Sequence, residues 1–135
     1  MSEKVSPRHP KVLVVDDAPA VIEKLSSELV AGGFDVISAA DGVEAGVRLA
    51  DHPDIALAIV DLHMPRMNGH QLIEQVRRDL GLKDLPIVML TTDKGPENLG
   101  RAVDTGATGW VLKPYDPERL LETIRRIIAR TAVTA

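Results

Sequence analysis

Five short apolar runs punctuate the chain: Val12–Val15, Val36–Ala39, Ile55–Val60, Ile87–Leu90 and Trp110–Leu112. Most lack a clean alternation of apolar and polar positions. Continuous runs of Val, Ile, Leu and Ala suit strands buried on both faces, as in a parallel sheet. The segments between them read as amphipathic helices. Val21, Ile22, Leu25 and Leu29 recur at three- and four-residue spacing, as do Leu120, Leu121, Ile124, Ile127 and Ile128. Leu72, Ile73 and Val76 form a shorter stripe. Gly32-Gly33 marks a helix end, and Asp116-Pro117-Glu118 marks a helix start with Pro at the first position.

Strands alternating with helices predict an α/β domain of five β–α units, with a parallel sheet covered by helices on both faces. Right-handed crossovers leave few topologies. The fourth helix, Pro96–Asp104, is the weakest element, because Gly100 in its middle costs about 1 kcal/mol relative to Ala. A marginal helix of this kind is a natural moving part. Residues 1–9 read as a flexible lead, 10–130 as one domain, and 131–135 as a fraying tail.

Composition narrows the function. The chain has 135 residues, enough for one domain with one core. It contains no cysteine, which excludes disulfide scaffolds, thiolate metal sites and Cys nucleophiles. Sixteen Lys and Arg against 20 Asp and Glu give a net charge of −4. A mildly acidic domain lacks the basic footprint of a nucleic-acid binder, so no DNA partner is expected. Phe34, Trp110 and Tyr115 are the only aromatics, too few for a base-stacking surface. No apolar run approaches the roughly 20 residues that span a bilayer, and the N-terminus has no apolar signal core. A cytoplasmic protein without a membrane partner is the expectation.

Ligands of open α/β sheets bind outside the carboxyl ends of the strands. The first strand ends at Asp16-Asp17, the third at Asp61, the fourth at Thr91-Thr92 and the fifth at Lys113-Pro114. Three carboxylates, two hydroxyls and one ammonium therefore converge on one rim. Carboxylates about 4 Å apart repel by roughly 4 kcal/mol at an effective dielectric of 20, so such a cluster calls for a cation. Hard oxygen donors without Cys or His favour Mg²⁺. Lys113 suits a phosphoryl oxygen, a Thr hydroxyl can donate to another, and an Asp can act as nucleophile to form an aspartyl phosphate.

The segments VVDD, IVDLHMPRMNG, LTT and GATGWVLKPY closely resemble, in order, the motifs of bacterial two-component response regulator receiver domains. The resemblance spans about Pro10 to Arg130 and is closest to stand-alone chemotaxis receivers of the CheY kind. It implies a flavodoxin-like sheet in the order 2-1-3-4-5 with five helices, a fold the general rule for doubly wound sheets already names. It also implies that Asp61 is the phosphoacceptor and that Asp16, Asp17 and the backbone carbonyl of His63 join it in holding Mg²⁺. Thr91 and Lys113 would meet the phosphoryl group, Lys113-Pro114 would be a cis peptide, and Trp110 would occupy the aromatic switch position. The implied partners are a CheA-like histidine kinase and a downstream protein, the flagellar motor switch in chemotaxis, bound by a monomer through 96–104, 110–112 and 117–130. Such a protein is a signalling phosphoacceptor that assists its own phosphotransfer and dephosphorylation rather than an enzyme.

Each residue has a plainer reading. Asp16 and Asp17 suit a helix cap ahead of Ala18-Pro19. Trp110 suits a core, and the family more often carries Tyr or Phe there. His63 stands two residues past Asp61, where it would bear on phosphoryl lifetime. Gly69, Gly106 and Gly109 suit special backbone geometry. Thr92 is bulkier than the family's usual Ala or Gly and would narrow access to Asp61, while Asp93 adds charge at the mouth. Three rivals remain: a single-domain receiver in a phosphorelay or another non-motility pathway, the receiver part of a longer transcription factor, and a phosphatase with an Asp nucleophile. The phosphatase pattern is Asp-x-Asp at the first strand, whereas this chain has adjacent Asp16-Asp17. A dinucleotide-binding domain is weaker still, since no Gly-rich loop follows the first strand.

Overall fold

A computed structural model describes residues 9–62, 68–92 and 106–134, with side chains through residue 130. Each apolar run becomes a strand: β1 Lys11–Val15, β2 Asp35–Ala39, β3 Ile55–Asp61, β4 Ile87–Thr91 and β5 Gly109–Leu112. They form one parallel sheet in the order β2-β1-β3-β4-β5, as the resemblance implies. Four helices lie among the described residues: α1 Pro19–Ala31, α2 Gly42–Asp51, α3 Gly69–Glu74 and α4 Pro117–Thr134. The helix expected over 96–104 lies outside the described residues, as do His63, Asp93 and residues 1–8 of the expected lead. Helix α4 starts at Pro117 as expected but runs through Thr134, past the point where the sequence reads as a tail.

The missing alternation has a direct cause. Val12, Val14, Leu57, Ile59, Val88 and Leu90 face one layer with Leu25 and Leu29 of α1 and Leu120 and Ile124 of α4. Leu13, Val15, Ala58, Val60, Ile87 and Met89 face the other, with Ala45 and Leu49 of α2 and Leu72 and Ile73 of α3. Both pleats of β1, β3 and β4 are therefore buried, so polar residues would be penalised at either. Helix termini are fixed locally. Asp41 accepts the Glu44 N–H at the start of α2, and Asn68 and Gln71 form a reciprocal capping box on α3. Helix α3 continues into a π-helical turn over Gln75–Asp79. Arg77 in that turn donates to the carbonyls of Leu82 and Gly106, which ties α3 to the connection leading into β5. Gly106 has φ +109°, a conformation that favours glycine. No helix among the described residues is long and apolar enough to cross a membrane.

Leu57→Ala, at a fully buried position in β3, is expected to cost about 2–5 kcal/mol. Val43→Ala, on the exposed side of α2, is expected to stay within about 0.5 kcal/mol of wild type. Urea unfolding of the two variants checks the contrast.

Candidate functional site

Strand register builds the site. Val15 of β1 pairs with Val60 of β3, so the next residues, Asp16 and Asp61, emerge side by side. Asp61 pairs with Leu90 of β4, which places Thr91 one step further along. Thr91 pairs with Leu112 of β5, and the Lys113 N–H donates to the Thr91 carbonyl at 2.8 Å. The sheet thus delivers two carboxylates, a hydroxyl and an ammonium to one edge from four strands. Helix α3 closes over the end of β3 without a side chain in the way. The Gly69 N–H donates to the Leu62 carbonyl at 2.9 Å. A Cβ on Gly69 would stand 2.7 Å from Met89 Cε and 3.1 Å from the Asp61 carbonyl oxygen.

Asp16, Asp17 and Asp61 each offer a carboxylate oxygen, all within 4.8 Å of one another. Asp16 and Asp61 are buried and Asp17 is exposed. Lys113 Nζ lies 3.4 Å from Asp61 Oδ1 and 3.7 Å from Asp16 Oδ2. Thr91 is buried at the end of β4, and Thr92 beside it is exposed. The Lys113-Pro114 peptide is cis, as the resemblance implies. Trp110 is 39% exposed on β5, so it is a surface residue rather than a core aromatic. His63 lies outside the described residues.

Helix capping does not explain the acidic pair. The N-cap of α1 is Ala18, and no side chain caps it. Instead Asp16 Oδ1 accepts the Ala18 N–H at 2.9 Å, which orients the carboxylate toward the cluster. Its other oxygen, Oδ2, is buried and accepts no hydrogen bond among the described residues. Burial pushes the Asp16 carboxyl above its ordinary value of 3.8; Asp61 and Asp17 push the same way, while the Ala18 N–H and Lys113 oppose. A buried oxygen without a hydrogen bond, in an all-oxygen acidic set offset by one ammonium, fits a hard divalent cation such as Mg²⁺.

The sequence suggested backbone roles for three glycines, and they divide. Gly106 has a positive φ, and Gly69 is needed for close approach. Gly109 has neither a positive φ nor a neighbour within 4 Å of a Cβ. The Tyr115 hydroxyl donates to Glu28 Oε1 of α1 at 2.6 Å, two residues past Lys113. Nothing in the sequence flags that pair, because the residues are 87 positions apart and neither belongs to a strand-end motif.

Comparison with known proteins agrees with this architecture. Residues 12–125 match the response regulator receiver domain model, and the chain belongs to that family. It is 35% identical over 119 residues to the chemotaxis protein CheY1 of Helicobacter pylori, covering 87% of this chain and 96% of that one. It is 34% identical to the DNA-binding dual master transcriptional regulator RpaA of Synechocystis sp., covering 90% of this chain but half the length of RpaA. The structure of Vibrio cholerae chemotaxis protein CheY4 superimposes with a TM-score of 0.83 at 39% identity, covering 88% of this chain and 98% of the other. The chain is thus a CheY-like receiver domain of a response regulator.

Two predictions follow from the geometry. Because the folded Asp16 carboxyl binds its proton more tightly than the unfolded one, metal-free stability falls as pH rises from 3.8 through the raised value. Asp16→Asn is therefore expected to stabilise the protein in chelator at neutral pH by roughly 0.5–2 kcal/mol and to flatten that slope, as read by urea unfolding at pH 4 to 7. Gly69→Ala is expected to lower stability by about 1–3 kcal/mol, since Asp61 and Leu62 backbone atoms bound the space a methyl would enter; the same unfolding assay measures it.

Proposed function

We propose that the chain accepts a phosphoryl group on Asp61 from a histidine kinase, in a Mg²⁺-dependent reaction, and thereby changes its affinity for a protein partner. The observation that carries this reading is the convergence of Asp16, Asp17 and Asp61 with Lys113 at the carboxyl ends of the strands. Asp16, Asp17 and Asp61 would hold the ion, with the His63 carbonyl as a further ligand. When bound, Mg²⁺ supplies positive charge that offsets the phosphoryl oxygens, as receiver domains generally use it.

The remaining steps belong to the chain. An Asp61 carboxylate oxygen attacks phosphorus, and the bond from phosphorus to the donor breaks with its electron pair leaving on the donor. Lys113, already 3.4 Å from Asp61 Oδ1, pairs with a phosphoryl oxygen. The Thr91 hydroxyl donates to another. Thr92, next to Thr91, is exposed, and its bulk would narrow the approach of a donor. A phosphoryl group adds nearly two negative charges and three acceptor oxygens, enough to draw Thr91 and Lys113 toward it. Movement at Lys113 passes into β5, where the exposed Trp110 lies, and along the chain toward α4. To move a population from 1:99 to 99:1 takes about 5.5 kcal/mol of differential stabilisation, within reach of several charge-assisted contacts.

Chemotaxis is the pathway favoured by relatives named as chemotaxis proteins and covered almost end to end. On that reading the partners are a CheA-like histidine kinase and the flagellar motor switch. The match to RpaA over the same stretch favours a second reading, a receiver serving an output outside motility. A pull-down with the phosphorylated protein separates the two: capture of a motor-switch protein supports the first, and capture of other partners alone supports the second.

The test of phosphoacceptance is intact-mass spectrometry after acetyl phosphate and Mg²⁺. One phosphoryl group should appear on the wild type, vanish with chelator, and be absent from Asp61→Asn. The fluorescence of Trp110, the sole tryptophan, should change in parallel. A phosphoryl group retained by Asp61→Asn would sink the assignment.

A further inference from the structure

Lys113 is held from two sides. On one side its N–H donates to the Thr91 carbonyl at 2.8 Å. On the other, two residues along, the Tyr115 hydroxyl donates to Glu28 Oε1 at 2.6 Å. Glu28 is itself fixed, because Lys24 Nζ donates to its Oε2 at 2.6 Å. The same ammonium stands 5.2 Å from the centre of the Tyr115 ring. The ring packs against the core layer that holds Leu25, Leu29 and Leu120. Burial, with the Glu28 carboxylate, keeps the hydroxyl well above its ordinary titration range, so it remains a donor at neutral pH.

We propose that Tyr115 is a positioning residue for Lys113: its hydrogen bond to Glu28 anchors residues 113–115 to α1 and fixes the distance of the ammonium from Asp61 and Asp16. The inference rests on the receiver reading above and adds a residue outside the strand-end motifs. Its logic is electrostatic. An ammonium held 3.4 Å and 3.7 Å from two carboxylates pairs with an incoming phosphoryl group, but it also competes with a cation for the same oxygens. Freeing the turn weakens both effects. Phosphorylation slows while Mg²⁺ binding tightens, a pairing that general loosening of the fold does not produce.

The experiment is a double-mutant cycle on the full chain. Tyr115→Phe keeps the ring and deletes one hydrogen bond. The expected result is an initial phosphorylation rate with acetyl phosphate lower by about fivefold, the usual worth of one such bond. Calorimetry should show the Mg²⁺ dissociation constant falling by about twofold or more. In a Lys113→Ala background both changes should disappear. Glu28→Gln, which keeps an acceptor oxygen, should lie closer to wild type than Glu28→Ala does. Changes from Tyr115→Phe that persist without Lys113 overturn the proposal, as does a loss of thermal stability with rate and Mg²⁺ affinity unchanged. A wild type that binds Mg²⁺ and gains a phosphoryl group beside an indistinguishable Tyr115→Phe overturns this inference alone. A wild type that does neither overturns the receiver chemistry and this inference with it.

Discussion

Like charges gathered at one edge of a sheet repel, and at this edge the repulsion is only partly offset. Asp16, Asp17 and Asp61 bring carboxylate oxygens within 4.8 Å of one another, a separation at which a pair of unit charges costs roughly 3–4 kcal/mol at an effective dielectric of 20. Solvent screens the exposed Asp17, but Asp16 and Asp61 are buried. The chain offsets part of the cost with Lys113 and with the Ala18 N–H, and leaves Asp16 Oδ2 without a hydrogen bond among the described residues. An edge so arranged is strained when empty of cations and relieved by binding one. On the proposed function, that bias is what would make the edge respond to a metal ion and then to a phosphoryl group.

The core makes the cluster hard to escape. Both pleats of β1 and β3 are packed, so a slip of one residue would turn every side chain to the wrong layer. The register that buries Val14, Val15, Ile59 and Val60 therefore also forces Asp16 beside Asp61. Gly69 lets α3 seat against the end of β3, which confines Asp61 from its other side. The apolar sheet supplies the stability against which the polar edge is held in tension, a common division between scaffold and site.

Much of this was legible in the sequence because it follows from local rules. Unalternating apolar runs mark all five strands within a residue or so, and the strand ends point to Asp16, Asp17, Asp61, Thr91 and Lys113. Pro117 announced the start of α4. What escaped depends on contacts between distant positions. Tyr115 and Glu28 meet only because α1 and the turn after β5 lie on the same face, and Arg77 reaches Gly106 only through the π-helical turn after α3. The exposure of Trp110 was also beyond pattern reading, since an aromatic in a short strand suits a core as readily as an edge. The end of α4 escaped for a simpler reason: residues 131–134 carry no breaker, and the helix continues through them.

The most direct test of the account is thermal unfolding as a function of Mg²⁺ concentration. A ligand that binds only the folded state raises stability by mass action. Wild-type melting temperature should therefore climb steadily with Mg²⁺, while Asp16→Asn starts higher in chelator and climbs less. A wild-type melting temperature indifferent to Mg²⁺, with Asp16→Asn no more stable than wild type in chelator, would contradict the claim that these carboxylates form a strained cation site.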